Sequence, residues 1–198
     1  MKPSHKVAGG FGAAVIAAAI VFTPGWEGTD LVAKRDTIGT GHPITYCHGQ
    51  TDEFGKVKVG QRFTPAQCSE LLAKSLPKYL EPLQRCVKRE IPVKSMAALL
   101  DAAYNAGPAA VCRSPMVARI NAGDLRGACN AFTGWYVTTK NNGVRNVIPG
   151  LVYRRAGDAT RKGEKQLCLE GVAEGMPKPQ APSFFEKVKL FFLSLIKG

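Results

Sequence analysis

Three side chains near the start of the chain carry the types of group that acid–base hydrolysis needs. Glu27 is the first charged residue after an uncharged run that begins at Val7, and Asp36 and Thr45 follow it at intervals of nine positions. A protonated carboxyl can donate to a leaving oxygen, a carboxylate can activate a water, and a hydroxyl can hold that water. This set is compatible with hydrolysis by two carboxyl groups, which is how a glycosidic bond is cleaved.

The residues around each carboxyl favour these two different roles. Glu27 follows Trp26 and precedes an apolar stretch, residues 31–33, which we predict as helical. An apolar setting keeps a carboxyl protonated, as an acid catalyst requires. Asp36 follows two basic residues, whose charges favour an ionised carboxylate. The spacing alone is weak support, because a chain with 15 acidic residues yields such a pair easily by chance.

A longer series of motifs makes the pattern specific. Eight short pieces occur in order, at residues 26–28, 35–39, 45–49, 68–72, 97–107, 112–114, 121–124 and 150–156. Together they span most of residues 26–170, and over that stretch the chain resembles the lambdoid-phage branch of the phage lysozymes, glycoside hydrolase family 24.

The resemblance implies a fold, a reaction and a set of site residues. It implies an α+β, two-lobed lysozyme-like fold, mostly helical with a small N-terminal β-lobe. The reaction would be inverting hydrolysis of the β-1,4 bond between N-acetylmuramic acid and N-acetylglucosamine in peptidoglycan, with no cofactor or metal. Glu27 would be the general acid, Asp36 the second carboxylate, and Thr45 the residue that positions water. Four further residues would contact substrate or support the cleft: Tyr104, Asn105, Ser114 and Arg155.

One departure concerns the spacer between Asp36 and Thr45. It is longer than the family's usual spacer, as though residues had been inserted around positions 39–43. We assign Thr45 because Thr-x-Cys-x-Gly at 45–49 matches the family motif. Thr40 is a weaker alternative, and His42 falls at the family's usual count.

Residues 1–25 predict a signal–anchor in the inner membrane. Two lysines precede the apolar run 7–22, which favours a cytoplasmic N-terminus. The uncharged run is long enough to span a hydrocarbon core of about 30 Å, but nine of the residues from 7 to 22 are Gly or Ala, so the anchor is weak. Three interpretations stay open: a signal peptide cleaved at the small residues 17–19, a permanent anchor, or an anchor that later leaves the membrane. We favour the third, because the anchor is weak and lies directly beside Glu27; the resemblance to the family agrees, since some relatives begin with such an anchor.

Six cysteines indicate disulfides in an exported, periplasmic protein. Their spacing matches no metal motif. Proximity along predicted helices makes Cys112–Cys129 the first candidate pair and Cys47–Cys68 the second, which leaves Cys86 and Cys168.

The net charge of +12 and the pI of about 9.6 favour anionic partners, although no nucleic-acid motif is present. We predict a catalytic domain over residues 26–175, a Pro-rich linker over 176–182, and a cationic amphipathic helix over 183–198. That helix would lie on an anionic membrane or outer envelope, or it would dock on its own domain. We expect a monomer.

The pattern also predicts individual elements of the catalytic domain. A helix begins at the cap residue Thr64, and an apolar central helix covers residues 95–104. Further helices are predicted at 115–121, 125–135 and 149–168. Two strands are predicted at 44–48 and 56–60.

The sequence is compatible with four functions. The favoured one is an endolysin for host lysis, with antibacterial muramidase activity. The alternatives are a bacterial wall-remodelling lysozyme exported by a cleaved signal peptide, a lytic transglycosylase, and a peptidoglycan-binding protein without activity. Both carboxyls are present, which disfavours the last of these.

Overall fold

A computed structural model describes residues 9–37, 41–51, 55–136, 138–141 and 144–176. The predicted helix 183–198 and nearly all of the predicted linker lie outside the described residues. The helices within the described ranges are α1 (Gly9–Phe22), α2 (Pro24–Glu27), α3 (Pro65–Cys86), α4 (Val93–Ala106), α5 (Pro108–Cys112), α6 (Pro115–Ala122), α7 (Leu125–Ala131), α8 (Pro149–Ala156) and α9 (Glu164–Glu174). The strands are β1 (Asp30–Arg35), β2 (Ile44–Cys47), β3 (Thr138–Asn141) and β4 (Val144–Val147). This is the mostly helical α+β architecture that the sequence predicts.

The N-terminal helix α1 packs on the helical domain. Val15 and Ala19 are fully buried and belong to the same core as α3 and α4. Gly12 lies near Leu80 of α3, where an added Cβ would make ordinary contact at 4.0 Å. Residues Gly10–Glu27 are also long and apolar enough to cross a membrane, by length and composition. The same segment is therefore suited to either a protein core or a bilayer.

The strands of the small β-lobe are formed in part by residues other than those predicted. Residues 31–33, predicted as helical, belong to β1, which pairs antiparallel with β2. The other edge of β1 bonds to residues 61–63, through Ala33 N–H to the carbonyl of Gln61 and Phe63 N–H to that of Leu31. The strand predicted at 56–60 was wrong: residues 56–58 belong to no strand, the chain turns at 59–60, and the bridge to β1 is formed by Arg62.

The long helix α3 begins where the sequence predicts. The Thr64 hydroxyl accepts from the amide of Gln67, and the Gln67 side chain accepts from the amide of Thr64. This reciprocal cap satisfies two donors that a helix start would leave without partners. Four leucines on one face of α3 are buried: Leu72, Leu76, Leu80 and Leu83.

Helix α4 is the buried centre of the larger lobe, as its uniformly apolar sequence predicts. Every residue from Ser95 to Ala103 is buried. Helix α9 packs closely against it at Gly171, where a Cβ would lie 2.5 Å from the Ser95 hydroxyl oxygen. A glycine is therefore required at this crossing. The Ser95 hydroxyl also donates to the carbonyl of Cys168, which joins the two helices.

Two predicted helices are shorter or divided in the structure. The helix predicted at 125–135 ends at Ala131 and continues as a short 3-10 helix, Phe132–Gly134. The single helix predicted at 149–168 is two helices, because Gly157, at φ 89°, ends α8 and bridges to Lys162. The hairpin of β3 and β4 was not predicted.

Three disulfides join the elements of the fold. Cys47–Cys68 links β2 to α3, as predicted, with Cα atoms 5.0 Å apart. The predicted pair Cys112–Cys129 was wrong: the structure pairs Cys86 with Cys112 and Cys129 with Cys168. Cys86 and Cys112 stand on the adjacent helices α3 and α5, whereas Cys129 faces α9. Packing between helices, rather than proximity along the chain, decides these pairs.

Because α1 is docked on the domain, the same Val-to-Ala substitution should lower the free energy of unfolding by different amounts at its buried and exposed positions. Val15→Ala should lower the free energy of unfolding of the full chain in solution by about 2 kcal/mol, because it removes buried methyl groups and leaves a cavity. Val21→Ala is the matched control, since Val21 is on the same helix but 84% exposed, and should change stability by less than ~0.5 kcal/mol. Denaturant titration measures both, and equal effects would contradict the docked arrangement.

Candidate active site

Glu27 is the last residue of the single-turn helix α2, and its side chain is 21% exposed. The chain turns immediately afterwards at Gly28, whose φ of 74° favours glycine. The Gly28 carbonyl accepts a hydrogen bond of 2.7 Å from His48 Nδ1. This bond ties the end of α2 to the loop after β2, so Glu27 stands at the junction of the two lobes.

A polar cleft of about 290 Å³ opens beside Glu27. Its lining comes from both lobes and from α3, and consists of Glu27, Gly49, Thr51, Lys78, Tyr79, Tyr104 and Asn105. Three of these residues, Glu27, Tyr104 and Asn105, were predicted as site residues from the sequence. The other four were missed. Gly49 ends the Thr-x-Cys-x-Gly motif and Thr51 lies two residues beyond it, so both could have been found from that motif. Nothing in the sequence distinguishes Lys78 or Tyr79 from other residues of α3.

Tyr104 connects the central helix to the β-lobe. Its hydroxyl donates to the carbonyl of His48 at 2.7 Å and accepts from the side-chain amide of Gln50 at 3.0 Å. Burial, followed by the nearby charge of Glu27, raises the pKa of Tyr104 well above its ordinary value. The phenol therefore stays protonated and keeps its donor role.

Asp36 and Thr45 lie on the β1–β2 hairpin rather than in the lining of the cleft. The backbone amide of Asp36 donates to the carbonyl of Pro43 at 2.8 Å, and Thr45 pairs with Lys34 across the two strands. His42 is exposed and donates from Nδ1 to the Asp36 carbonyl. The alternative candidate Thr40 lies outside the described residues.

Arg154, which was not among the predicted site residues, contacts Glu27. Arg154 Nη1 donates to Glu27 Oε1 at 2.6 Å, and its Nε and Nη2 each bond to the Asp101 carboxylate at 3.0 Å. The guanidinium is 5% exposed and Asp101 is fully buried. Burial lowers the pKa of Arg154, but the charges of Asp101 and Glu27 outweigh it and raise the pKa above its ordinary value. The motif at 150–156 contains both arginines, and the sequence could not decide which of them contacts Glu27.

Arg155 supports the site from behind. It is fully buried, donates to the side chain of Asn105 at 3.1 Å and to the carbonyl of Trp135 at 3.1 Å, and pairs with Glu164. Burial raises the pKa of the Glu164 carboxyl well above its usual range, and the neighbouring Asp101 raises it further. Arg155 thus fixes Asn105, which lines the cleft, without lining the cleft itself.

Ser114 is also a structural residue in this arrangement. It is buried, and its hydroxyl accepts from the amide of Val117 at the start of α6. This is a helix cap, and the described lining of the cleft does not include it.

The chain is similar to known proteins over most of its length. The family model for phage lysozyme matches residues 24–158. A SAR-endolysin of Enterobacteria phage P21 is 31% identical over 176 residues, covering 86% of this chain and 96% of the relative. A SAR-endolysin of Pseudomonas phage phiKMV is 33% identical, covering 79% and 89%.

A solved structure agrees with this similarity. The muramidase domain of SpmX from Asticaccaulis excentricus superposes with a TM-score of 0.64 at 25% identity, covering 77% of this chain and 95% of that domain. Because the family model matches well over half of the residues and includes Glu27, Arg154 and the helices that carry the cleft, the chain belongs to the phage lysozyme family.

Proposed function

We propose that this protein is an endolysin that hydrolyses the bond between N-acetylmuramic acid and N-acetylglucosamine in peptidoglycan, with inversion, to lyse a host cell. The observation that carries the proposal is Glu27: a partly buried carboxyl at the edge of a polar cleft, bound to a buried arginine. The similarity to phage SAR-endolysins along most of the chain supports the same function.

In this proposal Glu27 protonates the leaving glycosidic oxygen. A general acid must carry its proton when the bond breaks, so the contact with Arg154 must be able to loosen. Two bonds from Arg154 to Asp101 make this possible, because the buried guanidinium keeps a carboxylate partner when Glu27 becomes neutral. Glu27 can therefore change its protonation state without stranding a buried charge.

The second carboxylate would be Asp36, with Thr45 positioning the attacking water. Inverting enzymes need room for a water between the two carboxyls, typically about 6.5–9.5 Å. The family motif around Asp36 supports this role, although Asp36 follows the end of β1 that is remote from Glu27 and is outside the described lining of the cleft. Substrate would approach over Tyr104 and Asn105, while Ser114 and Arg155 would act by holding the lobe in shape.

We also propose that activity depends on release of the N-terminal segment from the inner membrane. Val15 and Ala19 are core residues of the docked α1, so they cannot lie in a bilayer and in this core at once. Helix α2 follows α1 after Thr23 alone, so Glu27 would be held at the membrane surface while residues 7–26 span the bilayer. The protein would begin as a tethered monomer in the periplasm with its N-terminus in the cytoplasm.

The alternative is a bacterial wall-remodelling lysozyme exported by a cleaved signal peptide. Cleavage at residues 17–19 would remove Val15 and most of α1, which contributes to the core of the docked form. The buried face of α1 therefore favours an endolysin that keeps its N-terminal segment.

The basic C-terminal segment would supply a second membrane contact. Residues 183–198 combine six phenylalanine, valine and leucine side chains at helical spacing with lysines elsewhere, which is the composition of a helix that lies on anionic lipid. This contact would hold the enzyme near a membrane or the outer envelope after release.

Glu27→Gln should abolish muramidase activity. The amide keeps the size of the side chain but cannot protonate the leaving oxygen, so clearing of purified peptidoglycan should slow by at least ~100-fold. Glu81→Gln is the matched control, because Glu81 is an exposed glutamate on α3, and should retain full activity. Products from the wild-type chain should carry a reducing-end muramic acid, whereas an anhydro-sugar would identify a transglycosylase and contradict the proposal.

Thr45→Ala tests which hydroxyl positions the water. We expect a fall in kcat of at least ~10-fold, because the attacking water loses its orientation. Thr51→Ala is the informative comparison, since Thr51 lines the cleft in the structure. If Thr51→Ala abolished activity while Thr45→Ala retained it, Thr51 rather than Thr45 would be the residue that positions the water.

Deletion of residues 183–198 should weaken binding to vesicles that contain phosphatidylglycerol by about 10-fold, because the segment provides both apolar contact and positive charge. Cosedimentation measures the binding. Hydrolysis of solubilised peptidoglycan by the shortened chain should be unchanged, which shows that it is folded. Vesicle binding as strong as that of the full chain would rule out this contact.

A further inference from the structure

The loop between α8 and α9 contacts α2, the single helical turn that carries Glu27. The Arg161 guanidinium lies over the ring of Trp26, 4.0 Å from its centre, and donates to the carbonyl of Gly25 at 3.2 Å. The Trp26 indole N–H donates to the carbonyl of Lys162 at 3.0 Å. Two of these contacts reach Trp26, the residue before Glu27, and the third reaches Gly25.

Arg161 is fixed in place before it meets Trp26. Asp158 accepts from Arg161 Nε at 2.9 Å and from Nη2 at 2.6 Å, and its carboxylate also accepts from the backbone amides of residues 160 and 161. These contacts, led by Arg161, lower the pKa of Asp158, which keeps the carboxylate charged. The planar guanidinium is thus presented with one face free to stack on an aromatic ring.

Helix α2 depends on such outside contacts. It is only four residues long, and a single helical turn is not stable by itself. Two side-chain contacts hold the helix itself on the domain: Arg154 bonds to Glu27, and Arg161 with Lys162 binds the adjacent Trp26. His48 bonds to Gly28 immediately after the helix. The first contact must loosen when Glu27 gives up or takes a proton, whereas the second involves no group of the reaction. The Trp26 contact, like the bond from His48 to Gly28, is therefore able to hold the turn throughout the cycle.

Trp26 also has a competing environment. It lies near the end of the apolar segment Gly10–Glu27, and tryptophan favours the interface between membrane and water. The indole cannot occupy that interface and the Arg161–Lys162 site together. Capture of Trp26 by the loop would therefore favour the docked form over the membrane form.

We propose that Arg161 is a positioning residue for Glu27, acting through Trp26, and that the same contact captures the N-terminal segment when it leaves the membrane. The catalytic part of this proposal rests on the proposed muramidase function. The capture part rests only on the docked structure and the apolar segment.

The catalytic part is tested by a double-mutant cycle on the full-length soluble chain, with solubilised peptidoglycan as substrate. Arg161→Ala should lower kcat about fivefold with KM nearly unchanged, because the acid is misplaced while the rest of the cleft remains. Trp26→Ala should lower kcat at least as much, and the double variant should be no worse than Trp26→Ala alone. Trp26→Phe, which keeps a ring under Arg161, should lie between wild type and Trp26→Ala. Losses that multiply in the double variant would overturn the coupling.

The capture part is tested by partition of the full-length chain into vesicles of phosphatidylethanolamine and phosphatidylglycerol. Arg161→Ala should raise the bound fraction about threefold, although it removes a positive charge that would attract the lipid. Arg126→Ala is the matched control, because Arg126 is an exposed arginine on α7, and should lower binding slightly or leave it unchanged. Equal behaviour of the two variants would overturn capture. A wild-type chain without activity would instead contradict the muramidase function, and the partition would still decide capture.

Discussion

The arrangement of the site depends on one buried guanidinium. Arg154 is 5% exposed and bonds to Glu27 of α2 and Asp101 of α4, with Glu164 of α9 at 3.5 Å. A buried charge is tolerated only where partners compensate its lost hydration, so these elements must meet at this point for any of them to be stable. The acid, the central helix and the last described helix are thus placed relative to one another by electrostatics, while apolar packing holds the lobe around them.

The number of charges in this cluster also constrains its chemistry. Two arginines face three carboxyls, those of Glu27, Asp101 and Glu164. Glu164 is fully buried, its Oε2 atom has no hydrogen-bond partner among the described residues, and burial raises its pKa well above the usual range. A protonated Glu164 would balance the cluster and let its second oxygen act as a donor. Glu27, the one member that reaches the cleft, is then the carboxyl whose protonation the substrate can alter.

The sequence pattern predicted correctly those elements whose structure is decided by residues close together in the chain. The cap at Thr64 and the buried helix α4 follow from side-chain chemistry and periodicity within one segment. Residues 31–33 were predicted wrongly because a three-residue apolar run fits either a helix or a strand, and partners at 61–63 decide between them. The disulfide of Cys112 and the choice of Arg154 depend likewise on which helices pack together. Sequence patterns name candidate residues, whereas contacts between distant segments select among them.

In the proposed mechanism, the position of Glu27 links catalysis to the placement of the N-terminal segment. Thr23, at the end of α1, is fully buried and its carbonyl accepts from the amides of Trp26 and Glu27. No flexible linker separates the apolar helix from the acid, so the placement of α1 is transmitted to Glu27 through a single turn. A longer connection would let the acid reach Arg154 whether or not α1 had docked. The short connection makes docking of α1, burial of Thr23 and pairing of Glu27 with Arg154 parts of one folding event.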